Sequence, residues 1–206
     1  MNNKLLTKIF CGAISAAMML SLVSGCEKAV DNGNGDPTDV PSGTVDVNDE
    51  SKGFSVNDLD IVVGGKTLKI GGKESTLKDV LGEPLSIDAA ESCIFDGDER
   101  FYTYETCAVF TFPPESGAKE NTIDEVYFFE KNDALTIKGD INIGSTVEEV
   151  KAALGNAYFM DGDQMMVYNA ENDPAKKDTL PKLYFELSDG VVSGIGYCAN
   201  LYHAEG

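Results

Sequence analysis

A single histidine is the first constraint this chain imposes. His203 stands three residues from the end of 206, and a chain end is a poor place for a general base or a metal ligand. No Ser-His-Asp or Cys-His arrangement can therefore be assembled, and no histidine cluster exists for zinc. Phosphate-cradling loops are missing too: Gly64-Gly65 and Gly71-Gly72 have neither dinucleotide-fingerprint nor P-loop spacing. Basic residues are scarce, 16 Lys+Arg against 35 Asp+Glu. The first 25 residues hold two of the lysines and no acid, so from Cys26 onward 14 basic groups face 35 acidic ones, a formal charge of −21. Such a surface repels phosphates and anionic headgroups, which argues against a nucleic-acid partner. Carboxylates are plentiful enough to permit a carboxylate-dependent cell-wall hydrolase, but no pair of acids stands out. Nothing implies a cofactor.

The longest apolar run is also short. Met1–Lys8 has Lys4 and Lys8 as its only charges, and Ile9–Val23 is almost wholly apolar. As a helix those fifteen residues would span about 22 Å, less than the ~30 Å hydrocarbon core. A basic start and a short apolar stretch form the pattern of a signal peptide, here residues 1–25, rather than a membrane-spanning helix. The stretch ends in Leu22-Val23-Ser24-Gly25-Cys26, which resembles the bacterial lipobox. That resemblance implies cleavage before Cys26 and diacylglycerol on its sulfur, with further acylation of the new amino terminus. Two or three acyl chains hold a protein on a membrane where one would be marginal. The expected location is extracytoplasmic, lipid-anchored to the cell membrane. Residues 26–53 then form the lipidated cysteine and a tether: Pro37, Pro41, many small polar residues, seven acids and no aromatic side chain. This composition buries too little apolar surface to offset the entropy of ordering, so a disordered acidic tether is expected.

From Phe54 the chain repeats itself. Ile70-Gly71 and Ile143-Gly144 each open a segment that runs to Gly82 and Gly155, with Leu77 matching Val150 and Leu81 matching Leu154 at a constant offset of 73. Both segments read as short helices. Thr146 and Glu149 have capping-box spacing, Val147, Val150, Ala153 and Leu154 make one apolar stripe, and Gly155 stands where helices stop. Pro84 enforces the stop in the first copy. Turn sequences follow, Asp96-Gly97-Asp98 and Asp161-Gly162-Asp163. Strands are expected at Phe101–Tyr104, Cys107–Phe112 and Glu125–Phe129 in one copy, and at Met165–Tyr168, Lys182–Leu187 and Val191–Tyr197 in the other. The expected fold is α+β: two tandem helix-plus-antiparallel-meander repeats, residues 54–140 and 141–206, sharing one layered core.

The isoleucine-glycine, the capped helix ending in leucine-glycine and the strands behind it, in tandem, resemble the repeat of the β-lactamase inhibitor protein. They are also similar to the small outer-membrane-assembly lipoproteins. Ser92-Cys93-Ile94-Phe95-Asp96-Gly97 with Phe101-Tyr102-Thr103-Tyr104 resembles a group of Gram-positive surface lipoproteins of unassigned activity. These resemblances imply binding rather than catalysis, without identifying the partner. Ala157 departs from them, standing where Pro84 stands in the first copy.

Three sets of side chains are candidates for function. Asp96 and Asp98, with Asp161 and Asp163, could supply oxygen ligands to calcium, although turn chemistry alone accounts for Asp-Gly-Asp. Tyr102, Tyr104, Tyr127, Tyr168, Tyr184 and Tyr197 all fall on expected strands. On an uncovered sheet face they would form an aromatic platform for a protein or envelope component. Cys93 and Cys107 are expected on strands separated by a third. Two strand spacings exceed the ~7 Å over which a disulfide closes, so buried free thiols are expected instead. The sequence thus points to a non-enzymatic, lipid-anchored binding or scaffold module, with a calcium-responsive surface protein as the alternative.

Overall fold

The computed structural model describes residues 53–93, 95–114 and 120–201. The signal peptide, Cys26, nearly all of the tether and His203 lie outside the described residues. Among the described residues no helix is long and apolar enough to cross a membrane.

Two turns show how local chemistry sets the strands. Strands β1 (Asp60–Val63) and β2 (Lys66–Lys69) form a hairpin closed by Gly64 and Gly65. Both glycines have positive φ, +58° and +76°, the backbone of the two-residue turn that matches strand twist. At the other end of the chain, strands β10 (Lys182–Ser188) and β11 (Val191–Cys198) are joined by Asp189-Gly190, again both at positive φ.

Helix α1 (Leu77–Leu81) and helix α2 (Val147–Leu154) are the only α-helices among the described residues. In α2 the Thr146 hydroxyl accepts from the Glu149 amide at 3.2 Å, and the Glu149 carboxylate accepts from the Thr146 amide at 2.7 Å. Two otherwise orphaned donors are thereby satisfied. Val150 and Leu154 are completely buried, and the chain leaves the helix at Gly155. The two Ile-Gly segments dock alike. Gly71 donates to Ile123 at 2.7 Å, and Gly144 donates to Val192 at 2.8 Å.

The remaining strands are β3 (Ser86–Glu91), β4 (Asp98–Thr103), β5 (Cys107–Phe112), β6 (Thr122–Phe128), β7 (Leu135–Thr136), β8 (Phe159–Asp161) and β9 (Met165–Asn169). Eight strands form one antiparallel sheet in the order β3-β4-β5-β6-β11-β10-β9-β8, and β2-β1-β7 form a second, three-stranded one. The two halves of the large sheet meet where β6 pairs with β11, Tyr127 opposite Gly196. The main core lies between one face of the large sheet, the helices and the small sheet. It gathers Ile61, Leu68, Leu77, Val126, Val150 and Phe185, among others.

The expected α+β class of helix-plus-meander repeats is corrected. The protein is mostly β, with helices of five and eight residues set against sheets of three and eight strands. Two causes account for the difference. Strand β3 is exposed along its whole length, so it carries no apolar alternation to read. The small sheet depends on Val62 meeting Thr136 across more than seventy residues, a contact that local pattern cannot reveal.

Candidate interaction surface

Because side chains alternate across a strand, the large sheet presents a second face turned away from both helices. A separate apolar cluster of Tyr127, Val167, Tyr184 and Cys198 lies there, flanked by Phe129, Phe159 and Met165, all from the sheet or its immediate flanks. Register sets Ala108, Tyr127, Gly196, Tyr184 and Val167 in one transverse row, and Phe110, Glu125, Cys198, Lys182 and Asn169 in the next. Among the described residues, the segment around Lys177 covers one margin. There the Lys177 carbonyl accepts from the Lys182 ammonium at 2.8 Å and from the Asn200 amide at 3.2 Å.

At the centre two tyrosines cross β11 in opposite directions. Tyr127 of β6 donates to the Glu186 carboxylate of β10 at 2.8 Å, and Tyr184 of β10 donates to the Glu125 carboxylate of β6. Their rings stack at 6.3 Å with 20° between planes. They lie flat because β11 offers Gly194 and Gly196 beneath them: a Cβ on Gly194 would meet the Tyr127 hydroxyl at 2.2 Å, and one on Gly196 the Tyr184 ring at 2.0 Å. The pairing Glu125-x-Tyr127 against Tyr184-x-Glu186 is visible in the sequence once β11 is known to lie between the two strands. Without that knowledge it is two unremarkable tripeptides.

Glu125 is 3% exposed. Burial pushes its carboxyl up to about 7, the Tyr184 hydroxyl and Lys182 draw it partly back, and Asp124 and Glu186 push it further. Folding therefore retains a proton that the unfolded chain releases at the ordinary carboxyl value, 4.5. This contribution to stability is full below that value, falls as pH rises through the folded value near 7, and is flat above it. The loss between pH 4.5 and 7.5 is expected to be on the order of 2–3 kcal/mol. Glu125→Gln should remove most of that slope in urea-unfolding curves, since the amide oxygen still accepts from Tyr184. Parallel pH profiles for the two proteins would refute the assignment.

Toward β3 the same face turns aromatic and more open. Phe101 sits opposite Phe110, both part-exposed, and Phe110 packs edge-on against Phe112 at 4.8 Å. Phe95 adds a second edge contact to Phe112 at 5.5 Å. On the helix side, the chain's sole arginine, Arg100, pairs with Glu74. The Glu74 carboxylate also accepts from Tyr102 at 2.8 Å and Thr111 at 3.3 Å, which pins the turn before α1 to the sheet.

The six tyrosines do not form an exposed platform, and that expectation is corrected. All are 9% exposed or less. Tyr102, Tyr104, Tyr168 and Tyr197 belong to the main core, while Tyr127 and Tyr184 belong to the crossed pair. Burial raises the phenol of every one of the four core rings, Tyr104 to about 12. Strand alternation placed these residues on strands, but both faces of this sheet bury aromatics, so a strand position did not imply exposure.

The aspartates lie in or beside turns: Asp96 and Asp163 in the turns themselves, Asp98 at the start of β4 and Asp161 at the end of β8. Asp96 and Asp98 are exposed around Gly97, and Asp161 is held by the Lys177 ammonium at 2.9 Å. Among the described residues no three His, Cys, Asp or Glu side chains gather as a metal site. Asp161, Asp163, Gln164, Glu186, Ser188 and Ser193 line an open groove at the margin of the face. Cys107 opens β5, whereas Cys93 lies in the turn between β3 and β4 rather than on a strand as expected, and both are free thiols. Cys107 is buried and its thiol is pushed up to about 12, whereas Cys93 is exposed, contrary to expectation. Comparison with known proteins found no matching family model, no matching curated protein and no matching solved structure.

Proposed function

We propose that this protein is a lipid-anchored, extracytoplasmic binding or scaffold module without catalytic activity, which meets a protein or envelope component through the face of its large sheet turned away from the helices. The observation that carries the reading is that this face holds its own aromatic cluster, apart from the core that α1 and α2 pack into, with Phe101 and Phe110 part-exposed beside it. Part-exposed aromatic rings on a rigid sheet supply contact area at little entropic cost. The lipobox pattern ending in Cys26 supports the anchor, and the acidic tether would hold the domain clear of the membrane. The resemblance to surface lipoproteins and to the β-lactamase inhibitor protein supports binding over catalysis, as does the lack of a second histidine.

The test compares the full chain with a Phe101→Ser, Phe110→Ser variant in capturing partners from envelope extracts of the source cells. A partner held by the intact face should be recovered at least tenfold less by the variant, the loss expected when two aromatic anchors of an interface are removed. Circular dichroism must show that both proteins are folded. Equal recovery by two folded proteins would remove this face from the proposal.

A further inference from the structure

Strand β3 ends the large sheet, and among the described residues no strand lies beside its outer edge. All six of its residues are exposed. Natural edge strands are blunted by charged side chains, lysine above all, by prolines, bulges or a very short length; the opposite edge is short, β8 having three residues, whereas the only charges on β3 are the acids Asp88 and Glu91. Strand β3 has six, in unbroken register with β4 from Ser86 opposite Thr103 to Glu91 opposite Asp98. It contains no lysine, no proline and no bulge. Leu85 and Ile87, two residues apart and so on one side, are 73% and 55% exposed. They lie on the side that Tyr102 faces, because Ile87 pairs with Tyr102. Helix α1, at five residues, does not cover them. A free backbone edge thus runs beside an uncovered apolar shelf, and Ala89 and Ala90 offer no bulk against a close approach.

Charge selects the occupant. Residues 83–99 carry Glu83, Asp88, Glu91, Asp96, Asp98 and Glu99 and no lysine or arginine. A second copy paired through β3 would set Asp88 and Glu91 against the same acids, and like charges across strands repel. The chain's own tether, with seven acids, is disfavoured for the same reason. We infer that β3 accepts an extended, lysine- or arginine-bearing segment of a partner protein as a ninth strand. Backbone hydrogen bonds would give affinity, apolar side chains of the segment would rest on Leu85 and Ile87, and its basic side chains, on the other side of the strand, would meet Asp88. This goes beyond the proposed function, which concerns the sheet's face and stands on other residues.

The experiment titrates the full chain in detergent with two synthetic probe peptides, one alternating lysine and valine, the other glutamate and valine. Fluorescence anisotropy reads binding, and amide hydrogen exchange reads its location. The lysine peptide should bind at least tenfold more tightly, slow exchange within residues 86–91, and weaken as salt rises. N-methylation of its alternate amides should abolish binding, because charge remains while the hydrogen bonds are lost. Asp88→Lys with Glu91→Lys should reverse the preference between peptides. Four results would each overturn the inference: no binding of the lysine peptide, protection confined to the open face, undiminished binding after N-methylation, or protection of β3 by a peptide-free dimer. None of them bears on the Phe101 and Phe110 comparison, so the two readings can fail separately.

Discussion

Gly196→Ala is expected to cost about 2–5 kcal/mol of stability, one methyl group acting against its usual sign. At a backbone conformation open to any residue, glycine to alanine commonly stabilises by ~0.4–1 kcal/mol, because the unfolded chain loses freedom. Gly196 has no positive φ, so that gain is available to it. Sterics oppose it. The added Cβ would lie 2.0 Å from Cζ and 2.3 Å from Cε1 of Tyr184, the body of the ring rather than a flexible end. Tyr184 cannot swing aside without breaking its bond to Glu125, and Tyr127 stacks against it. Overpacking costs about 1–3 kcal/mol, and stranding the buried Glu125 acceptor adds about 1–3 more. For a domain of this size the melting temperature should fall by roughly 10 °C. Gly194→Ala should cost less, because its Cβ meets first the Tyr127 hydroxyl, at 2.2 Å. A Gly196→Ala protein melting within two degrees of the parent would show that the ring does not lie on the glycine.

Cys26→Ser should abolish acylation outright. Thioether formation needs a sulfur nucleophile, and a serine hydroxyl, far less nucleophilic at neutral pH, does not replace it. Cells fed a clickable fatty acid should label the parent protein and leave the variant blank. The parent's mature amino terminus, read by mass spectrometry, should be residue 26 carrying two or three acyl chains. Cys11→Ser is the control: that cysteine lies within the apolar run, and its loss should leave labelling intact. The consequence for location is large, since each buried methylene contributes about 0.8 kcal/mol and a second chain turns marginal membrane residence into a stable one. Label persisting on the Cys26→Ser protein, or a mature terminus elsewhere, would leave only an ordinary signal peptide.

Local chemistry was legible wherever a few neighbouring residues decide the outcome. Thr146 and Glu149 cap α2 as their spacing indicates, and Gly155 ends it. The hairpins at Asp96–Asp98 and Asp161–Asp163 lie where the turn residues are. Reading failed where burial or partner choice is decided at a distance. Ser86–Glu91 has neither alternation nor β-branched bulk beyond Ile87, and becomes a strand because β4 supplies a ladder. Tyr102 looks like a surface aromatic beside Arg100, yet Glu74, twenty-six residues before Arg100, gathers both.

The sequence by itself determined the acidic composition, the turns and the cap of α2, because each depends on composition or on residues within four positions of one another. Only the tertiary structure decided that the tyrosines are buried, that Tyr127 and Tyr184 exchange hydrogen bonds with Glu186 and Glu125 over a pair of glycines, and that β3 is left as a free edge. Those outcomes depend on which strands lie side by side. Pairing across β11 joins residues 59 apart in sequence, and no short window of sequence contains both partners.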